Sequence, residues 1–135
     1  MITLDEANKV VRDSNSSGSG CYREVWIVGD LVIKRNISAG YDCNSEELTN
    51  YHIVKDDFPR TVTFFGTAVK IDIPEMTMLG EYLIAKYIDG EHFEKPTVET
   101  DVVDRFMSER YGLVDIHEGN VIFDGDTYWV VDLGG

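Results

Sequence analysis

Positive charge is scarce in this sequence. Its 135 residues include 12 Lys and Arg against 25 Asp and Glu, which gives a net charge of −13 at pH 7. A chain with this excess of negative charge repels the phosphates of nucleic acids and anionic membrane surfaces. Direct binding of nucleic acid or membrane is therefore excluded as a main activity, whereas a basic protein is a compatible partner.

Cysteine and long apolar runs are scarce as well. Cys21 and Cys43 form no Cys-x-x-Cys pair and lack the histidine spacing of zinc sites, so we expect reduced thiols. No run of about 18 apolar residues predicts a transmembrane helix, and the N-terminal residues lack a cationic and apolar signal sequence. These absences predict a soluble cytoplasmic protein.

Hydrophobic residues make up 43% of the chain, which is too many for a disordered sequence. A chain of this length buries roughly 68% of its unfolded surface, enough for one hydrophobic core. We therefore expect a single domain over residues 1–135.

Hydrophobic periodicity predicts three helices, over residues 3–12, 44–55 and 97–111. Thr3 and Glu6 have the spacing of a capping box at the start of the first helix. Asn44 or Ser45 can cap the second helix. Gly112 follows the third helix as a natural C-terminal cap.

Four stretches rich in β-branched and aromatic residues predict strands, at 24–35, 61–71, 80–88 and 121–131. The first and last stretches are predicted hairpins, because Gly29 with Asp30 and Asp124 with Gly125 are turn pairs. The two middle stretches are predicted single strands, joined by a connection that contains Pro74. The order of elements predicts an α+β fold with an antiparallel sheet.

Oxygen-bearing side chains flank the last predicted hairpin. Asp115 and Asn120 precede its first strand, and Asp132 follows its second strand. The hairpin can bring these groups face to face, and carboxylate and amide oxygens suit Mg²⁺. Asp115 and Asn120 have an alternative interpretation as turn residues that bond their own backbone.

The motifs VDIHEGN at 114–120 and DLG at 132–134 resemble the catalytic loop and the metal-binding motif of the protein-kinase-like and aminoglycoside-phosphotransferase-like superfamily. The resemblance implies that Asp115 is the catalytic base. It also implies that Asn120 is a metal ligand and that Asp132 is the principal metal ligand.

The first half of the chain carries further motifs in the same order. Gly18 and Gly20 resemble a glycine-rich phosphate loop, and Lys34 within LVIK resembles the lysine that contacts ATP phosphates. The ion pair between that lysine and a helix glutamate maps best onto Glu47, with Glu46 as the other option. Lys34 has an alternative interpretation as a surface lysine at a strand end.

Residues 81–90 resemble the last strand and hinge that hold adenine through backbone groups, which places Lys86 and Tyr87 in the nucleotide site. Two positions depart from the family pattern. Leu113 stands where a histidine usually braces the catalytic loop, and Glu118 stands where the aminoglycoside-kinase pattern has proline.

The resemblance implies a small lobe over 17–88, preceded by an extra helix within 1–16 and followed by a truncated helical lobe over 89–135. The implied function is a minimal, phage-type kinase that binds ATP and Mg²⁺ and transfers the γ-phosphoryl group to a protein or small-molecule hydroxyl. The alternative is a catalytically inactive acidic protein that regulates or inhibits a host protein.

Overall fold

The computed structural model describes residues 2–19, 23–37, 41–113 and 116–133. Its helices are α1 (Leu4–Asp13), α2 (Cys43–Val54) and α3 (Val98–Tyr111). Its strands are β1 (Gly18–Ser19), β2 (Arg23–Val28), β3 (Leu31–Asn36), β4 (Arg60–Phe64), β5 (Thr67–Asp72), β6 (Met76–Leu79), β7 (Tyr82–Lys86), β8 (Glu91–His92), β9 (Val121–Phe123) and β10 (Tyr128–Val130). Short 3-10 turns span Lys55–Asp57 and Glu118–Asn120. The predicted α+β class is confirmed.

The strands form two five-stranded sheets. The first sheet has the order β1-β2-β3-β7-β6, and its neighbouring strands are antiparallel. The second sheet has the order β4-β5-β10-β9-β8, in which β5 and β10 run parallel and the other pairs are antiparallel. The predicted antiparallel pairing therefore has one exception.

Helix α1 covers the outer face of the first sheet. Its capping box is present, since the Thr3 hydroxyl accepts from the Glu6 amide at 3.2 Å and the Glu6 carboxylate accepts from the Thr3 amide at 3.0 Å. The Tyr82 hydroxyl on β7 donates to the Asn8 side chain on α1 at 2.7 Å. The buried residues of this layer are Ala7, Trp26, Ile33, Tyr82 and Ile84.

The inner face of the first sheet packs against α2 and the main core. Along β7, Tyr82 and Ile84 face α1, whereas Leu83 and Ala85 belong to the main core, as the period of a strand requires. This core continues into α3 and the second sheet, so the two sheets share it. Within the described ranges, no helix is long and apolar enough to cross a membrane.

Two strand predictions were wrong in their bounds. The stretch 61–71 is a hairpin, β4 and β5, whose turn residues Phe65 and Gly66 have φ of 51° and 80°. The sequence pattern missed this turn because phenylalanine rarely adopts positive φ. The stretch 80–88 begins with a turn at Gly80, and the connection after Pro74 contains the additional strand β6.

Two further expectations need correction. β4 and β5 belong to the second sheet, so the two middle stretches do not extend one common sheet. Helix α2 is capped by Asp42, whose carboxylate accepts from the Ser45 amide at 3.0 Å, and not by Asn44 or Ser45. The predicted C-terminal cap of α3 is confirmed, because Gly112 has φ of 71° in the left-handed region.

Replacing Gly112 by alanine should lower the free energy of unfolding by about 1 kcal/mol, because a residue with a Cβ is strained at positive φ. A Cβ at this position would meet no atom within 4 Å, so backbone strain is the whole expected effect. Urea unfolding measures it. Gly112→Asn is the matched control, because asparagine tolerates this conformation and should recover most of the loss; equal losses in both variants would contradict the strain argument.

Candidate active site

Lys34 and Glu47 form a buried ion pair. Lys34 lies on the inner face of β3, and its Nζ donates to Glu47 Oε1 on α2 at 2.9 Å. The side chain of Glu47 has no exposure to solvent, and that of Lys34 is 9% exposed. The structure therefore does not place Lys34 at the surface, which was its alternative interpretation. Glu46 is partly exposed, and its carboxylate accepts from the Tyr41 hydroxyl at 2.9 Å.

Glu47 has two further partners. Arg23 donates to its Oε1 at 2.6 Å, and the backbone amide of Leu133 donates to its Oε2 at 3.1 Å. Burial by itself would raise the pKa of Glu47, but the charges of Lys34 and Arg23 outweigh burial and hold the pKa below its usual value. Glu47 is therefore ionised at neutral pH.

Arg23 joins Glu47 to Asp132, and the sequence analysis did not identify it as a site residue. Its guanidinium donates to Asp132 Oδ1 at 3.1 Å and to the Asn44 side chain at 3.3 Å. Burial would lower the pKa of Arg23, but Glu47 and Asp132 raise it above its usual value. One sequence signal could have pointed to it, since Arg23 is the only cation between Arg12 and Lys34.

The N-terminus of α2 is tied to β3, which sets the position of Glu47 relative to Lys34. The buried Asn44 side chain donates to the Lys34 carbonyl at 2.9 Å, and the Asn44 amide donates to the Asn36 side chain at 3.1 Å. Asn36 also donates to the capping residue Asp42 at 2.8 Å. These bonds fix the position of the N-terminus of α2 relative to β3.

The segment after β10 is held between α2 and Lys34. The Asn50 side chain on α2 donates to the Leu133 carbonyl at 2.6 Å, while Glu47 accepts from the Leu133 amide. Lys34 Nζ donates to the Val131 carbonyl at 3.2 Å. Because both neighbours of Asp132 are anchored, the backbone of this predicted metal ligand has a defined position beside the ion pair.

Asn120 lies next to the same segment, since its carbonyl accepts from the Val131 amide at 2.9 Å. The backbone of Asn120 is therefore bonded to the segment that carries Asp132, and the side-chain oxygens of these two residues are of the type that Mg²⁺ prefers. The described residues contain no cluster of three or more His, Cys, Asp or Glu that could hold a metal. To hold a cation, the side-chain oxygens of Asp132 and Asn120 would need further oxygen ligands, such as those of a phosphate. Asp115 lies outside the described residues.

A mainly apolar cavity of about 170 Å³ lies beside Lys34, between the two sheets. Val32 and Ala85 line it from the first sheet, while Ile122 and Val131 line it from the second-sheet side. Binding sites of drug-sized ligands begin at about 300 Å³. The cavity therefore has room for a flat ring, and a larger ligand would extend out of it.

Lys86 and Tyr87 line this cavity at its edge. The amide of Lys86 donates to the Glu75 carbonyl at 2.9 Å, and the amide of Tyr87 donates to the Asp30 carbonyl at 2.7 Å. Both amides are therefore committed to protein acceptors, so an adenine ring would have to use other backbone groups of this segment.

The predicted phosphate loop is described in part. Gly18 lies in β1, opposite Val25 of β2, whose other neighbour is Lys34. Gly20 lies outside the described residues, as does Cys21. Cys43 is a buried free thiol at the start of α2, and burial raises its pKa above the usual value.

Comparison with known proteins supports the fold. No protein-family model matches the chain, and no curated protein matches its sequence. Solved structures that match include the streptomycin-ATP-APH(2")-IIa ternary complex, with a TM-score of 0.57 and 13% sequence identity over 99% of this chain and 72% of that chain. The chain therefore has a kinase-like fold, which confirms the fold class that the motifs implied.

Glu47→Gln should lower the free energy of unfolding by about 3 kcal/mol or more, because it leaves the buried Lys34 without a carboxylate partner and Arg23 with Asp132 as its remaining carboxylate. Glu46→Gln is the matched control on the same helix, and we expect a change within about 0.5 kcal/mol for that partly exposed side chain. Urea unfolding at neutral pH measures both variants. A loss that is equal in the two variants would contradict the assignment of Glu47 as the buried partner.

The stabilisation by Glu47 should depend on pH in the acidic range. Its folded pKa lies below the ordinary value of 4.5, so the stabilisation is complete above pH 4.5 and is lost as the pH falls through the folded pKa. The difference in free energy of unfolding between wild type and Glu47→Gln should therefore shrink below pH 4.5. Urea unfolding between about pH 3 and pH 7 tests this, and a constant difference would contradict it.

Proposed function

We propose that this protein is a kinase that binds Mg-ATP and transfers the γ-phosphoryl group to a hydroxyl of a protein or small molecule. The observation that carries the proposal is the buried pair of Lys34 and Glu47, with Asp132 beside it, in a kinase-like fold. The structural neighbour was solved in complex with ATP and streptomycin, which supports a nucleotide as a ligand.

The geometry suggests how a nucleotide would lie. The adenine ring would enter the apolar cavity between Val32, Ala85 and Ile122, and the phosphates would extend towards Lys34. Glu47 would hold the Lys34 ammonium group in position. The lysine would then lose little further conformational entropy when the ligand binds. The glycine loop at Gly18 and Gly20 would cover the phosphates from the first sheet.

Asp132 and Asn120 would hold the metal ion together with the phosphate oxygens. Mg²⁺ would neutralise the negative charge that develops on the transferred group. Asp115 would accept the proton of the attacking hydroxyl while a new oxygen–phosphorus bond forms and the bond to the β-phosphate oxygen breaks, releasing ADP. The net charge of −13 makes the local cations and the metal necessary for holding a polyphosphate.

The alternative of a catalytically inactive acidic protein that binds a host protein is not favoured. The contacts of Lys34, Glu47 and Asp132 are those that a nucleotide site would use, and an inert scaffold would not require a buried lysine and a partly buried arginine beside these carboxylates. The phosphoryl-transfer experiment below distinguishes this alternative from the kinase.

Mg-ATP should raise the melting temperature of the wild-type protein, because a ligand that binds the folded state stabilises it. Asp132→Asn should remove most of this shift, since it removes a metal-binding charge with little change in volume. Asp126→Asn is the matched control, because Asp126 is an exposed carboxylate bonded to Lys70 on the second sheet. Equal shifts in all three proteins, or none in any, would contradict the proposed nucleotide site.

Phosphoryl transfer separates the kinase from the inactive alternative. Asp115→Asn should retain the thermal shift with Mg-ATP but lose transfer of labelled γ-phosphate to the protein itself or to an acceptor mixture. A wild-type protein that binds Mg-ATP and transfers no more label than Asp115→Asn would favour the inactive alternative.

A further inference from the structure

We propose that Arg23 is a ligand-binding residue of the proposed nucleotide site, which neutralises Asp132 in the absence of a cation and competes with a divalent cation for this carboxylate. When a nucleotide and a divalent cation bind together, the cation displaces the Arg23 guanidinium group from Asp132. The guanidinium group then binds the phosphates of the nucleotide. The inference rests on the proposed function, because it concerns the carboxylate that would hold the metal.

The geometry of Arg23 places one guanidinium group between two carboxylates from different parts of the chain. Its NH1 contacts Glu47 Oε1 at 2.6 Å, and its NH2 contacts Asp132 Oδ1 at 3.1 Å. The Arg23 side chain is 11% exposed and that of Glu47 is fully buried, whereas that of Asp132 is 35% exposed. The Asp132 carboxylate is therefore the end of this network that a dissolved cation can reach.

The charges of the network balance without any ligand. Lys34 and Arg23 supply two positive charges, and Glu47 and Asp132 supply two negative charges. A divalent cation at Asp132 adds two positive charges next to the Arg23 guanidinium group, and their repulsion is strong in a partly buried site. The cation by itself is therefore disfavoured while Arg23 occupies the carboxylate.

A polyphosphate relieves this repulsion because it supplies the missing negative charge. A guanidinium group presents five N–H donors in a planar fork that suits phosphate oxygens, and the contacts with Glu47, Asn44 and Asp132 use three of them. Arg23 can exchange Asp132 for a phosphate and keep its bond to Glu47. Cation and nucleotide then bind cooperatively, and each increases the affinity for the other by the same factor.

Mn²⁺ binding in the absence of nucleotide tests the competition directly, with free Mn²⁺ measured by electron paramagnetic resonance. Arg23→Gln should bind Mn²⁺ about ten-fold more tightly than wild type, because the competing charge is gone. Arg35→Gln is the matched control, since Arg35 pairs with Glu24 away from the site, and its Mn²⁺ affinity should stay within about two-fold of wild type.

The increase in Mn²⁺ affinity of Arg23→Gln must depend on Asp132. The double variant Arg23→Gln with Asp132→Asn should lose the tighter Mn²⁺ binding, which separates this carboxylate from the many other acidic groups of the chain. Mn²⁺ affinity in Arg23→Gln that equals or falls below the wild-type affinity would overturn the proposal, and so would a gain that survives in the double variant.

ATP binding at a saturating Mn²⁺ concentration, where the cation has displaced Arg23 from Asp132, tests the second half of the proposal. Arg23→Gln should lower the affinity for ATP by about ten-fold and leave the affinity for adenosine unchanged, because only the phosphates contact the guanidinium group. Unchanged ATP affinity in this variant would overturn the phosphate role. If wild type binds no ATP at all, the proposed function fails, whereas the Mn²⁺ comparison still decides whether Arg23 competes at Asp132.

Arg23→Lys covers the case in which the glutamine variant does not fold. A lysine keeps the charge, but its single ammonium group cannot bridge Glu47, Asn44 and Asp132 in one planar fork. We expect its Mn²⁺ affinity to exceed that of wild type by about three-fold. An affinity at or below the wild-type value would overturn the proposal.

Discussion

A carboxylate that has no contact with solvent stays ionised only when opposite charges and hydrogen-bond donors surround it, and Glu47 imposes this condition on the structure. Lys34 and Arg23 of the first sheet supply the positive charges, and the Leu133 amide, in the segment after β10, supplies a further hydrogen-bond donor. One side chain therefore joins α2, the first sheet and the end of the second sheet. The position of Asp132 follows from this junction, because the residues on both sides of it are anchored.

The junction around Glu47 contains two of the few basic residues of this acidic chain. A net charge of −13 is unfavourable for a ligand with phosphates, yet Lys34 and Arg23, two of the 12 basic residues, lie in the interior beside Asp132. The carboxylates of Glu47 and Asp132 compensate their charges. The proposed nucleotide site can therefore exist in a strongly acidic chain without an uncompensated buried charge, and the same cations would be available to the phosphates of the proposed ligand.

Part of the site was predictable from motifs alone. The order of the glycine loop, LVIK, the helix glutamate and DLG indicated which residues would meet, and the structure places Lys34, Glu47 and Asp132 in one hydrogen-bonded network. Arg23 was not predictable in this way, because its contact with Asp132 spans 109 positions of sequence. The roles of these residues in catalysis, like that of Asp115, stay predictions.

By itself, the sequence determined the features that depend on neighbouring residues. The capping box of Thr3 and Glu6, the end of α3 at Gly112 and the hairpin turn at Gly29 follow from local backbone preferences and short-range hydrogen bonds.

Only the tertiary structure decided how the strands divide between two sheets, why β5 runs parallel to β10, and which cations approach Glu47. These features depend on burial and desolvation, and both are set by residues that are distant in the chain.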